Sequence, residues 1–246
     1  YRLNKPSQPG ALNYALKVAS QPIVLFLDDD IRIDQGFVVA HAQKYSDPSV
    51  WAVAGQVLQP GEEELIDFKH SPTQGPFSDF NFLFRSANPA WIENGMSGNL
   101  SVRRDKAIQI GGFDENFLPP VSYRFDNEFC KRIIKTGGKI YFEPAARIYH
   151  LRAERGGTRS KGSHMTSASP IHGQGDYYFA MKQGMNLSTL FYILKRPFRE
   201  VCTRFHLKNP WWIPVKFVGE IRAMVQALYL FLNGPHYIHK TEGGDS

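Results

Sequence analysis

Cysteine is nearly missing from this chain: Cys130 and Cys202 are the only two in 246 residues, far apart, in neither a CxxC pair nor a metal-ligand spacing. That excludes a disulfide framework and a cysteine-built zinc site, and a reducing, cytoplasmic compartment is the expectation. No uncharged apolar run reaches the roughly 18 residues of a membrane-crossing helix, and no signal peptide opens the sequence. Internal repeats are also lacking. The lysines and arginines are spread out and form no recognisable nucleic-acid module, so nucleic acid is not an expected partner.

What is present suits a folded α/β protein. Hydrophobic residues make up 42%, enough to bury one substantial core. A formal charge of +6 and a pI near 9.2 suit an anionic partner such as nucleotide phosphates or an acidic lipid surface. Ala11, Leu12, Ala15, Leu16 and Ala19 have helical spacing, which predicts a helix over 9–19 that Gln21-Pro22 ends. The unbroken apolar run Ile23 to Leu27 predicts a parallel strand covered on both faces. Asp34 reads as the N-cap of a helix through Tyr45, and 50–58 as a strand. After a proline-punctuated, aromatic-rich stretch, 98–102 reads as a strand and 104–110 as a helix ended by Gly111 and Gly112. A helix over 126–136 turns Phe129, Cys130, Ile133 and Ile134 inward, and 139–150 supplies a further strand. The alternation implies an α/β sheet. Past His150, the basic, glycine-rich segment with Arg152, Arg155 and Arg159 reads as a mobile loop. Val215 to Leu232 reads as a helix whose Lys216, Glu220 and Arg222 argue against crossing a bilayer. With Trp211 and Trp212 ahead of it, it is expected to lie on an anionic one.

The chemistry concentrates at Asp28-Asp29-Asp30, directly after the first apolar run. Adjacent carboxylates repel, and a divalent cation resolves the conflict; a solvated acidic turn is the plainer reading. A parallel strand's carboxyl end is also where open α/β sheets bind ligands. Hard oxygen donors suit magnesium or manganese bridged to phosphates. Asp126, opening a helix, could take a proton from an acceptor hydroxyl or simply cap the helix. Asp114 and Glu115 read as a turn. His150 closes a strand; a structural histidine is the commoner case, but a neutral imidazole there would serve as a metal ligand if that strand end approaches Asp30. Arg152, Arg155 and Arg159 could neutralise a diphosphate.

Taken in order, Pro9-Gly10-Ala11-Leu12-Asn13, Leu27-Asp28-Asp29-Asp30, Gly98 to Arg104, Ile110 to Glu115, Asp126-Asn127-Glu128-Phe129 and His150 resemble glycosyltransferase family 2 over about residues 4 to 155. The resemblance implies a GT-A-like, Rossmann-like mixed sheet flanked by helices, with a helical C-terminal appendage. It divides the chain into a catalytic core over 1–155 and a basic loop with helical region over 156–246. It implies that Asp28 contacts the donor's ribose or sugar and that Asp29, Asn13 and Arg155 belong to the donor-binding set. Asp30 would bind Mn2+ or Mg2+, with His150 as a further ligand, and Asp126 would be the catalytic base of an inverting transfer. The expected partners are a nucleotide-sugar donor and a glycan, lipid-linked or other hydroxyl acceptor, with the enzyme cytoplasmic or peripheral on the inner face of the membrane. The family's usual Glu-Asp pair is Phe125-Asp126 here, so acceptor contacts from the glutamate are missing. No Gln-x-x-Arg-Trp follows, which points to single additions rather than a processive enzyme. The family's first strand and helix, the base-binding half of the nucleotide pocket, are expected ahead of Tyr1, so the chain reads as N-terminally incomplete. The rival readings are a sugar nucleotidyltransferase, which would use similar carboxylates to attack phosphorus, and a non-catalytic glycan- or membrane-binding module of the same fold.

Overall fold

The computed structural model describes residues 1–4, 6–71, 75–119, 121–151 and 163–238. The described chain forms two compact units.

The first, the sheet unit, comprises Leu12–Phe113 and Asp126–Glu154 with Ile238–Ser246. Its six strands are β1 (Ile23–Leu27), β2 (Ile31–Ile33), β3 (Val50–Leu58), β4 (Ala90–Ile92), β5 (Asn99–Arg103) and β6 (Lys139–His150). They run in the order β1-β5-β3-β6-β2, with β4 also paired to β6. β3 and β6 are parallel, while β1 with β5, β3 with β5, β4 with β6 and β2 with β6 are antiparallel. The sheet is mixed, and helices flank it: α1 (Gln8–Val18), α2 (Phe37–Gln43), α3 (Arg104–Gln109) and α4 (Phe125–Lys135).

Two expectations need correcting. β1 is neither parallel nor covered on both faces: it pairs antiparallel with β5 and stands at the end of the strand order, with Leu27 42% exposed. A continuous apolar run reports burial of some side chains, not the direction of the neighbouring strand. Phe26 packs edge-on to Phe113, which stacks on Phe129 of α4, while Leu25 joins a cluster of Phe37, Ala40, Val57, Ala146 and Ile148. Nor is Asp34 a helix cap: α2 begins at Phe37 after Gly36, whose φ of 84° leads the chain in without any side-chain cap. The Asp34 carboxylate instead accepts the Tyr149 hydroxyl at 3.2 Å.

β6 ties the sheet together. β3 pairs with it near both ends, β4 pairs with its first half, and its last residues also pair with β2, placing Ile31 opposite His150. Gly55 lets β3 and β6 close up at their irregularity, because a β-carbon there would stand 2.1 Å from the Ala146 carbonyl oxygen.

The second, the helical unit, comprises Tyr1–Ala11, Asp114–Phe125 and Arg155–Tyr237. Its helices are α5 (Gln174–Lys182), α6 (Leu187–Val201), α7 (Arg204–Lys208) and α8 (Trp212–Leu232). Asn186 caps α6 by accepting the Thr189 amide at 2.9 Å, and Thr203 caps α7. Between them α5, α6 and α8 bury a charge network. Asp176 accepts from Arg124 at 3.0 Å and from Arg196 and Tyr192 at 2.7 Å each; Glu220 accepts from Tyr177 at 3.0 Å, from Lys216 at 2.8 Å and from Arg196. Burial alone would raise the Asp176 carboxyl, but Arg196 and Arg124 overcome it and hold it below the usual carboxylate range. Among the described residues, no helix is long and apolar enough to cross a membrane.

Candidate active site

The site begins where β1 ends. The Asp28 amide donates to the Gly98 carbonyl at 3.2 Å, extending the β1–β5 pairing by one step, and the chain then bends through Asp29 and Asp30 into β2. Leu151 donates its amide to the Asp30 carbonyl at 2.7 Å, which fixes Asp30 against the end of β6. The result brings together two strand ends distant in sequence. His150 Nε2 lies 3.1 Å from Asp30 Oδ1 and 3.8 Å from Asp28 Oδ2. One ligand atom from each of Asp28, Asp30 and His150 falls within 4.8 Å of the others.

Electrostatics fit a cation here. Burial raises the Asp28 carboxyl above its ordinary value; His150 opposes this, while Asp30 and Asp29 add to it. The other imidazole nitrogen, His150 Nδ1, is buried with no hydrogen-bond partner among the described residues. Two carboxylates and one imidazole are a donor set that manganese or magnesium accepts. Asp29, between Asp28 and Asp30 in sequence, is exposed.

Gly98 is a part of the site that spacing alone does not reveal. A β-carbon there would stand 2.2 Å from Asp28 Oδ2, so the glycine leaves the space in which the carboxylate sits.

Asp126 lies in the first turn of α4, half-buried, with Oδ1 accepting the Asn127 amide at 2.9 Å. It is outside the 4.8 Å group of Asp28, Asp30 and His150. The other acid of that turn, Glu128, is clamped by Arg132 through two bonds of 2.8 Å, and Arg132 also reaches the Ile110 and Gly112 carbonyls at 2.6 Å each. Asn127 donates to Asn94 just past β4. Ser122 and Arg124, at φ 44° and 74°, hold the chain in the left-handed region immediately before α4. For residues with a β-carbon this is backbone strain, of the kind that gathers at functional sites.

Asn13, expected in the donor-binding set, takes a structural place. It is 2% exposed, its Nδ2 donates to the Phe113 carbonyl at 2.8 Å, and its Oδ1 accepts the Phe113 amide at 2.7 Å. The side chain brackets a backbone corner rather than presenting an open face. Arg155, with Arg152 and Arg159, lies outside the described residues.

No family model matches the chain, and no curated protein matches it in sequence. Among solved structures it is similar to the mannosyltransferase PcManGT from Pyrobaculum calidifontis in complex with GDP-Man and Mn2+, at 18% identity and a TM-score of 0.47 over 94% of this chain. It is also similar to GalNAc-T7 with UDP, GalNAc and Mn2+, at 13% identity and a TM-score of 0.48 over 85% of this chain. The chain spans 59% and 43% of the lengths of those two proteins.

Proposed function

We propose that this chain is the GT-A-like catalytic portion of a metal-dependent glycosyltransferase that moves a sugar from a nucleotide-sugar donor to a hydroxyl acceptor, one sugar at a time, with inversion. The observation that carries this reading is the meeting of Asp28, Asp30 and His150 at the ends of β1 and β6, with ligand atoms within 4.8 Å of one another.

Asp30 and His150, with Asp28 beside them, would hold Mn2+ or Mg2+, and such an ion, when bound, stabilises negative charge growing on the leaving diphosphate. The remaining chemistry belongs to side chains. Asp28 is held against Gly98 so that its carboxylate can also face the donor. Asp126, in the first turn of α4, accepts the proton of the acceptor hydroxyl as that oxygen attacks the anomeric carbon from the face opposite the diphosphate. A carboxylate is a sufficient base because the hydroxyl becomes acidic only as its bond to carbon forms.

Asp126→Asn keeps the side chain's shape and its acceptor oxygen for the Asn127 amide, but cannot take a proton at neutral pH. Turnover should fall by about 10²-fold or more, with donor affinity and melting temperature nearly unchanged. Transfer rate, calorimetric donor titration with manganese, and thermal melting on one preparation make the test. A variant that transfers sugar at near the parental rate removes Asp126 from the mechanism.

A further inference from the structure

Two helices of the helical unit are turned inside out. α6 buries Thr189, Ile193, Arg196, Pro197 and Val201. Its opposite face carries Leu187, Leu190, Phe191, Leu194 and Phe198, each between 43% and 85% exposed. These recur at i, i+3, i+4, i+7 and i+11, so they form one stripe. α8 repeats the inversion: Lys216, Gly219, Glu220, Ala223 and Ala227 face inward. Val218, Ile221, Val225, Tyr229 and Leu232, from 38% to 75% exposed, face out. The rings of Phe198 and Phe217, 6.4 Å apart, join the two stripes.

The inward charges are already satisfied by the network around Asp176 and Glu220, so the core does not require the large apolar side chains. A helix stable in water alone has the reverse arrangement. A contiguous apolar face on this scale marks a surface that something covers.

Charge identifies the cover. From 187 to 232 the exposed charges are Lys195, Arg199, Arg204, Lys208 and Arg222, and outside the buried network the one acid is half-buried Glu200. Trp211, 63% exposed, and Tyr229 are amphipathic rings suited to a bilayer's headgroup level. A second copy of the same face would bring like charges together, whereas an anionic bilayer takes both the apolar stripe and its cations. The sequence led only to α8; the structure adds α6 and the cations of α7.

We propose that the joined α6 and α8 face docks in the plane of an anionic lipid bilayer, with the stripes among the acyl chains and the five cations at the headgroups. This stands apart from the transferase reading, since lipid binding needs neither donor nor metal.

The test is co-sedimentation of the whole chain with phosphatidylcholine vesicles, with and without phosphatidylglycerol, at low and high salt. Binding should be about tenfold or more tighter to the anionic vesicles and should weaken with salt. Leu194→Gln with Phe198→Gln, both outward-facing, should lower binding about tenfold while far-ultraviolet dichroism and melting stay unchanged. A second variant, Lys195→Gln with Arg204→Gln and Lys208→Gln, should keep the fold and lose most of the preference for anionic lipid. Equal binding by the parent and the Leu194, Phe198 variant overturns the proposal. So does a parent that ignores vesicles but sediments as a dimer which that variant dissolves, because the face would then belong to a second copy.

Discussion

At Gly98 a β-carbon would stand 2.2 Å from Asp28 Oδ2, and the atom that would give way is the end of a mobile carboxylate rather than backbone. Gly98→Ala should therefore cost little stability, about 1 to 3 kcal/mol, while displacing Asp28 from Asp30 and His150. Manganese affinity measured by calorimetry is expected to fall about tenfold or more; unchanged affinity would mean that Asp28 contributes nothing to holding the ion. His41 offers a second residue-scale test. It is 2% exposed, with Nδ1 2.9 Å from Ser101 Oγ and Nε2 3.0 Å from Asn99 Oδ1, and burial lowers it to about 4, partly opposed by the Asn99 bond and nearby Glu143. Above pH 6.5 both folded and unfolded states carry a neutral imidazole. Between pH 6.5 and about 4 the unfolded state binds a proton that the folded state refuses, so stability falls with pH by about 3 kcal/mol in all. His41→Gln should melt lower at pH 7 yet lose less between pH 7 and 4.5, and parallel melting curves for the two proteins across that range would remove His41 as the cause. The position of the aspartate triplet and of His150 at strand ends was legible, since each borders an apolar run. Their approach was not, because it arises from the pairing of Ile31 with His150, and the role of Gly98 shows only in a distance.

Among the elements, α5, α6 and α8 are held to one another by Arg196, which bridges Asp176 and Glu220 with 4% of its side chain exposed. Arg196→Met removes the cation and leaves two buried carboxylates short of a partner, so it should cost about 3 to 5 kcal/mol, read from the urea midpoint. Adding Glu220→Gln should cost less than the sum of the two single changes, because a neutral amide no longer needs the missing cation. Strict additivity would show that the groups do not act together. The elements of the sheet unit were largely legible, since helical spacing and short apolar runs bounded by glycine and proline give α1, β3, β5, α3, α4 and β6 to within a residue or two. β2 escaped because three residues, Ile31–Ile33, are too few to show a period. α6 escaped for a different reason: its apolar stripe is regular, but the buried face that defines the helix carries Arg196 and Thr189, and an outward-facing stripe gives a sequence reader no core to attach it to.

Over the whole molecule the two units are threaded through each other in sequence, each assembled from three separate segments of chain. Composition along the chain marks the basic stretch after His150 but not this threading, because no local property of residues 114–125 announces that they pack with residues from beyond 163. The same threading sets an order of events. Ile238, 8% exposed, donates its amide to the Gly111 carbonyl at 2.8 Å, and a β-carbon on Gly112 would stand 2.4 Å from its side chain. The corner that Asn13 brackets through Phe113 is thus sealed by one of the last described residues, after the helical unit has been traversed. On a translating ribosome the strands of the sheet unit can emerge and pair, yet their aromatic core around Phe26, Phe113 and Phe129 stays unsealed at that corner until Ile238 has been made. Closing so long a loop is slow rather than prohibitive, since its entropy grows only with the logarithm of length. During that wait the nascent chain carries an unfinished core, and its safety depends on how fast the stretch from the last sheet strand to Ile238 is synthesised.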